Sequence, residues 1–356
     1  MKSGYIFLNK FAGLGEYNEY FEPVAEYQSF VRFFETGIID RTETIQCGFP
    51  YHTLDPIPSV PKDSEKLSLK AIIKERANEA AVLSVNSSLP LNVLWSGGID
   101  STVALISLIK ELGKKDFSRM VAISITVNTI HEFPELFKYL LQLGFNFRKL
   151  GHPVSKFLNT NELHVTGEHG DQLFGSDKML QLVESECGDI GHDVMAPLLM
   201  MDKLCNASKV DSLYGYIQPI IDKSPFEIIT ICDYMWWINF VCKWQQVSLR
   251  IPVWKFNEVK QLFDSTFHFF RSSDFQTWSM QKNSKNPGEV TKYKIEFKEY
   301  IAEFFDCKNY FNNKTKEISL KPRNEKRFWD LNRNKWAIII DENWNLKRKH
   351  ISNYIF

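Results

Sequence analysis

The sequence lacks the marks of several common protein classes. Its 356 residues contain no apolar run near the roughly 18 residues that cross a bilayer, and its first residues do not form a signal peptide. None of its six cysteines forms a Cys-x-x-Cys pair, which excludes the usual zinc-ribbon, iron–sulfur and dithiol motifs. Scattered thiols are typical of a reducing compartment. We therefore expect a cytoplasmic protein without a membrane segment.

Net charge is also absent, because 43 Lys and Arg residues balance 43 Asp and Glu residues. A neutral chain is not expected to bind nucleic acid by bulk electrostatics. The balance is uneven, since residues 308–356 carry 12 basic and 5 acidic side chains. This basic end is either a solvated tail or a surface near an anionic substrate.

Three regions can be distinguished along the chain. Residues 1–62 are aromatic and somewhat acidic, and three prolines between Asp55 and Pro61 predict a linker there. This region is expected to be a packing segment or the remnant of a larger domain. Residues 63–320 form the main domain. Residues 321–356 are a basic extension, in which a hairpin is predicted at residues 335–349.

The main domain alternates between strand and helix patterns. Short apolar runs predict buried strands at residues 91–95 and 121–127, and two further short strands are predicted at residues 145–150 and 163–166, with helical patterns before and between the strands. This alternation predicts an α/β fold, a doubly wound parallel sheet with right-handed crossovers. Beyond residue 180 the pattern is mostly helical. A capping box at residues 224–227 predicts the start of a long apolar helix, and the polar residues 280–289 predict a loop.

The loop after the first of these strands is glycine-rich. Residues 96–101 read S-G-G-I-D-S and lie between a strand and a helix. Gly97 and Gly98 let the backbone turn tightly and present N–H groups to an anion, and the following helix adds its positive end. Hydroxyl side chains in and just after this loop add hydrogen-bond donors, so a phosphate is the expected ligand. Because an acid there would repel phosphate without an intervening cation, Asp100 predicts magnesium.

A second loop follows the fourth predicted strand. Residues 166–176 read T-G-E-H-G-D-Q-L-F-G-S. Parallel sheets bind ligands in the crevice at the carboxyl ends of their strands, so this loop is expected to face the same crevice as residues 96–101.

Both loops resemble one known family. The first resembles the S-G-G-[IL]-D-S signature of the ATP pyrophosphatase superfamily (PP-loop, adenine nucleotide alpha hydrolase-like). The second resembles the S-G-E-G-S-D-E-L-F-G-G-Y segment of the asparagine synthetase C-terminal synthetase domain. The resemblance covers about residues 65–320 and implies a Rossmann-like fold that binds ATP and Mg²⁺ and cuts ATP between its α- and β-phosphates. It implies an ATP-binding set of Ser96, Gly97, Gly98, Asp100, Ser101, Thr102 and Gly167.

The resemblance also implies catalytic roles in the second loop. Asp171 would be the second magnesium carboxylate, paired with Asp100, and Glu168 would help to bring in an amine nucleophile. His169 replaces a glycine of the family segment, where it is expected to narrow the pocket or contact substrate. Gln172 replaces an acid. These departures leave the reaction class unchanged but do not favour asparagine as the product.

Weaker similarity continues downstream. Residues 248–253 resemble an E-V-R-x-P-F segment, with Arg250 on the arginine. Residues 289–294 resemble a T-K-Y-x-L-R segment whose lysine faces the adenylate and pyrophosphate, and this predicts Lys292 as a catalytic residue. Lys314 and Lys316 loosely resemble a later basic pair.

The glutamine-using relatives begin with a cysteine after Met1, whereas this chain has Lys2. We therefore expect a carbon–nitrogen ligase without a glutaminase domain. It would adenylate a small-molecule carboxylate and join it to an amine or to ammonia, as a homodimer or with an ammonia-supplying partner. We do not expect this chain to bind nucleic acid. The alternatives are a relative that adenylates a nucleobase or tRNA carbonyl, and a non-catalytic nucleotide-binding module.

Overall fold

A computed structural model describes residues 4–9, 22–60, 67–151, 153–285, 294–307, 310 and 336–350. Its strands are β1 (Tyr5–Leu8), β2 (Leu91–Leu94), β3 (Val121–Ile125), β4 (Asn146–Lys149), β5 (Leu163–Thr166), β6 (Thr266–His268), β7 (Trp336–Asp341) and β8 (Leu346–His350). Its helices are α1 (Ala25–Phe34), α2 (Leu69–Ser87), α3 (Ile99–Met120), α4 (Val127–Glu132), α5 (Pro134–Gln142), α6 (Gly170–Leu173), α7 (Ser176–Glu184), α8 (His192–Leu204), α9 (Ala207–Ile221), α10 (Ile231–Cys242), α11 (Trp244–Leu249), α12 (Val259–Asp264), α13 (Ser273–Lys285) and α14 (Ile295–Ala302).

The structure is α/β and contains a five-stranded parallel sheet in the order β4-β3-β2-β5-β6. The chain moves from β2 to one edge and then returns to the other side of β2, which is compatible with a doubly wound fold. The four predicted strands are confirmed, whereas β6, of three residues, was not predicted. Strands β2 and β5 are neighbours, and their last residues, Leu94 and Thr166, lie in register. The loops after both strands therefore start at the same level of the sheet.

Two sequence-based predictions in the helical part are wrong. The helix predicted to open at residues 224–227 begins at Ile231, because Thr230 and Asp233 form the capping box: the Thr230 Oγ1 accepts a hydrogen bond from the Asp233 backbone N–H at 3.2 Å. Residues 280–285, predicted as a loop, belong to α13. Their helix is held in place because Met280 is buried and the Ser279 hydroxyl donates to the Leu173 carbonyl at 2.6 Å.

The hairpin predicted near the C-terminus is confirmed as the antiparallel pair β7 and β8. Strand β1 pairs with β7, so a strand of the N-terminal region and the C-terminal hairpin form one three-stranded sheet. This sheet lies against α11, where the Gln245 side chain donates to the Ile6 carbonyl at 2.8 Å. The terminal regions thus support the segment that leads into Arg250.

The core is rich in aromatic side chains, as the composition suggests. The largest fully buried side chains include Trp95, Trp236, Trp237 and Trp244. Across the part of the chain that the structure describes, no helix has both the length and the apolar character needed to cross a membrane.

Candidate active site

The first loop is shaped by its glycines. Gly97 has a φ of 80°, and a Cβ added there would lie 2.6 Å from the Glu132 Cβ and 2.9 Å from the Thr129 carbonyl oxygen. Only glycine fits this position without strain. Gly98 is the N-cap of α3, which is interrupted by a kink at Gly113, and the positive end of its first segment faces the crevice beyond β2. This is the geometry of an anion site at a helix N-terminus.

The loop hydroxyls form a network within the loop. Ser101 Oγ accepts from the Ser96 backbone N–H at 3.1 Å and lies 2.9 Å from Ser96 Oγ. Thr102 is fully buried, where its hydroxyl donates to the Gly98 carbonyl at 2.7 Å and accepts from the Trp95 indole N–H at 2.9 Å. These hydrogen bonds show that Thr102 stabilises the loop. Its predicted contact with ATP stays a prediction.

The second loop packs directly against the first. A Cβ on Gly167 would lie 2.5 Å from the Ser101 backbone nitrogen and 2.8 Å from the Asp100 carbonyl carbon. A Cβ on Gly170 would lie 2.3 Å from the Asp100 Cγ. Gly167 therefore allows the two loops to pack closely. Its predicted role, to let the backbone approach a nucleotide, stays a prediction. Gly170 was missed, although the family segment also has a small residue there, a serine.

Two carboxylates, one from each loop, meet at a single cation. The Lys294 Nζ lies 2.6 Å from both carboxylate oxygens of Asp100 and 2.7 Å from Oδ1 of Asp171. The side chain of Lys294 is only 3% exposed. Burial alone would lower the pKa of Lys294, but the charges and hydrogen bonds of the two aspartates outweigh it and raise this pKa above 10.5. Lys294 is thus a protonated, buried counter-ion.

The structure places Lys294 in the site, and the role predicted for Lys292 stays a prediction. Lys292 lies outside the described residues, as do Lys314 and Lys316. Lys294 stands two positions further along, immediately before α14, with a left-handed φ of 55°. The segment contains two lysines, and the family pattern matched the first. The close spacing of the two lysines was the one available signal that either could enter the site.

Glu168 forms an ion pair with Arg250, the arginine predicted by similarity. The Glu168 side chain is 7% exposed and that of Arg250 is 34% exposed, so Arg250 is the partner that faces solvent. Arg250 directly follows α11. The structure therefore brings together two residues separated by more than eighty positions, at the end of β5.

His169 points into the protein interior and is buried against Trp244 and His268. Its Nε2 lies 2.9 Å from the Ser248 Oγ and 3.2 Å from the Trp244 carbonyl oxygen. Burial, with the nearby positive charges, lowers the pKa of His169 well below 6.5, so the ring is neutral. The expectation that it narrows the pocket or contacts substrate does not fit this placement. Instead it ties the second loop to α11.

His268 makes a parallel connection at the end of β6. Its Nε2–H donates to the Ser248 carbonyl at 2.9 Å, so its Nδ1 accepts from the Thr166 hydroxyl at 2.8 Å. Burial and the positive charge of Arg271 lower the pKa of His268 to about 3, which leaves the ring neutral and suited to one donor and one acceptor role. The two histidines together fix the segment before Arg250 relative to the second loop.

The C-terminal region also reaches the first loop. Tyr310 is buried, stacks on Phe133 with ring centroids 3.7 Å apart, and donates to the Gly97 carbonyl at 3.4 Å. Tyr310, the one described residue of the range 308–335, therefore lies beside the glycine-rich loop.

The site fits magnesium held jointly with a phosphate. Within the described ranges, no group of three or more His, Cys, Asp and Glu residues could hold a metal by itself. Magnesium is commonly bound by one or two carboxylates together with substrate phosphates and water. Asp100 and Asp171 already converge on one cation, which is the arrangement that such a site needs.

No protein-family model matches this sequence, and a search of the curated proteins found no match. The assignment of a function therefore depends on the two loop motifs and on the geometry described above.

Proposed function

We propose that this chain is an ATP-dependent carbon–nitrogen ligase of the asparagine synthetase type, built on a PP-loop ATP pyrophosphatase fold. It would adenylate a carboxylate, release pyrophosphate, and form an amide with ammonia or an amine. One observation carries the proposal: Asp100 and Asp171, from loops after two adjacent parallel strands, converge on one buried cation beside a glycine-rich helix N-terminus.

In the first step a substrate carboxylate attacks the α-phosphorus of ATP, and the bond to the β-phosphate breaks. Residues 96–101 and the N-terminus of α3 would hold the departing pyrophosphate. Magnesium, when bound by Asp100 and Asp171, would neutralise phosphate charge. Lys294 brings a fixed positive charge to the same point, which supports a role for it in stabilising the leaving group.

In the second step the amine attacks the acyl-adenylate, and AMP leaves as the amide forms. Glu168 lies three residues before Asp171 and would orient the amine or take its proton. Its ion pair with Arg250 limits the orientations of its carboxylate. His169 and His268 both form hydrogen bonds with Ser248, two residues before Arg250, and so help to fix the position of this pair.

The proposal extends to setting and partners. The six cysteines are unpaired, which supports a cytoplasmic setting. The substrates would be a small carboxylate and an amine or ammonia, with a homodimer or an ammonia-supplying partner as the assembly.

A second candidate is a non-catalytic nucleotide-binding module. It is favoured by the same lysine, because Lys294 already neutralises both carboxylates and a binding module would need no metal. The retention of Glu168 beside Asp100 and Asp171 favours the ligase, since nucleotide binding alone does not require all three acids.

Product analysis distinguishes the two. The full chain is incubated with Mg²⁺, ATP, ammonia and pools of small carboxylates, and the nucleotides are separated. We expect carboxylate-dependent formation of AMP and pyrophosphate, and none with α,β-methylene-ATP, whose α–β bridge cannot be cleaved. Formation of ADP and phosphate, or binding of ATP without turnover in any pool, would contradict the ligase.

A further inference from the structure

We infer that Lys294 is an internal cation that occupies the Asp100–Asp171 site in the nucleotide-free chain and excludes divalent metal from it until nucleotide binds. The inference deepens the proposed function and rests on it for the identity of the metal site. It adds a property that the loop motifs do not predict, which is competition between a side chain and magnesium for the same oxygens.

The ammonium of Lys294 contacts three carboxylate oxygens at 2.6, 2.6 and 2.7 Å, two from Asp100 and one from Asp171. Magnesium needs such oxygens at about 2.0–2.1 Å in near-octahedral geometry. An ammonium and a dication that share these oxygens would repel each other strongly at such separations. Lys294 and a divalent metal are therefore alternative occupants of the site.

Lys294 is 3% exposed, whereas Asp100 and Asp171 are 17% and 19% exposed. A buried ammonium is tolerated only when it is paired, and two adjacent carboxylates need a cation between them. The three side chains thus satisfy one another without metal. By contrast, the nearby pair of Lys282 and Glu296 is 35% and 30% exposed.

Lys294 adopts a left-handed conformation, with φ 55° and ψ 34°, at the N-cap of α14. This conformation is unfavourable for a residue with a side chain. Its ion pairs with both aspartates compensate for that cost in the nucleotide-free chain. Withdrawal of the ammonium would therefore release a strained position at the start of a helix.

The consequence is coupling between nucleotide and metal. Magnesium alone must displace a buried, well-paired ammonium from the three carboxylate oxygens. ATP phosphates would offer Lys294 a new anionic partner next to the first loop, so the two ligands favour each other's binding. The site would stay closed to free divalent cations and open to the metal–nucleotide complex.

The test measures Mn²⁺ binding to the full chain without nucleotide, by electron paramagnetic resonance of free Mn²⁺. Lys294→Met should bind Mn²⁺ about 10- to 1,000-fold more tightly than the wild type, because an internal competitor that leaves the site accessible in roughly 0.1–10% of molecules weakens apparent affinity by that factor. Lys282→Met removes a lysine from the neighbouring ion pair and should bind Mn²⁺ as the wild type does.

Lys294→Gln is made alongside, because it keeps a hydrogen-bond donor between the carboxylates if the methionine variant fails to fold. Saturating Mg²⁺ should raise its melting temperature by roughly 5 °C and leave the wild type unchanged. Equal Mn²⁺ affinity in the wild type and a folded Lys294 variant would overturn the inference. Tighter Mn²⁺ binding by the Lys294 variants, combined with no AMP formation by the wild-type chain in any carboxylate pool, would support the inference and contradict the ligase proposal instead.

Discussion

Asp171→Asn should abolish the conversion of ATP to AMP and leave the fold intact. Asp171 supplies one of the two carboxylates that converge on the cation position, and loss of a single preorganised electrostatic group at a reacting centre costs about 10²–10³-fold or more in rate. Lys294 keeps both oxygens of Asp100, so the loss of stability should stay near 1–3 kcal/mol. The measurements are carboxylate-dependent AMP formation and thermal unfolding.

Asp211→Asn is the matched control for this variant. Asp211 is an exposed acid on α9, outside both loops, so the same loss of charge there should leave activity at the wild-type level. Full activity in Asp171→Asn would show that the magnesium assignment is wrong.

Gly167→Ala should separate the two loops and reduce activity by about 10²-fold, since a misplacement near 1 Å at a catalytic site has an effect of that size. The new methyl group would lie 2.5 Å from the Ser101 nitrogen and 2.8 Å from the Asp100 carbonyl carbon. Both are backbone atoms and cannot rotate away, so the start of α3 must move. We expect a loss of stability of about 1–3 kcal/mol as well.

Gly215→Ala provides the comparison, because a Cβ at Gly215 meets nothing within 4 Å and the residue lies inside α9. Alanine there should stabilise the fold by about 0.5–1 kcal/mol and leave activity unchanged. If Gly167→Ala matched Gly215→Ala in AMP formation and melting temperature, close packing of the loops would not control the site.

The central part of the sheet could be predicted from sequence because β2 and β3 are short, mostly apolar runs next to strong turn signals. β2 and β5 each end at a glycine-containing loop, and parallel topology alone predicts that such loops share one crevice. The pairing of Asp100 with Asp171 within that crevice was predicted from the family resemblance. β6 escaped prediction because three residues are too few to establish a pattern.

The rest of the site depends on contacts between distant segments. Lys294 reaches Asp100 across nearly two hundred residues, and nothing in its local sequence distinguishes it from Lys292. The inward turn of His169 depends on Trp244 and Ser248 of α11, and the weak similarity of residues 248–253 does not predict this contact. The pairing of β1 with β7 likewise joins the two ends of the chain. Periodicity and short motifs report neighbours along the chain and carry no information on such contacts.

The most direct test of the account is the exchange of labelled pyrophosphate into ATP, because exchange requires a reversibly formed adenylate and needs no amine. With Mg²⁺ and a pool of carboxylates that contains the substrate, the account predicts label in ATP, and loss of that label when the carboxylate is left out. If ATP binds to the chain and no carboxylate supports exchange, the proposed adenylation is contradicted.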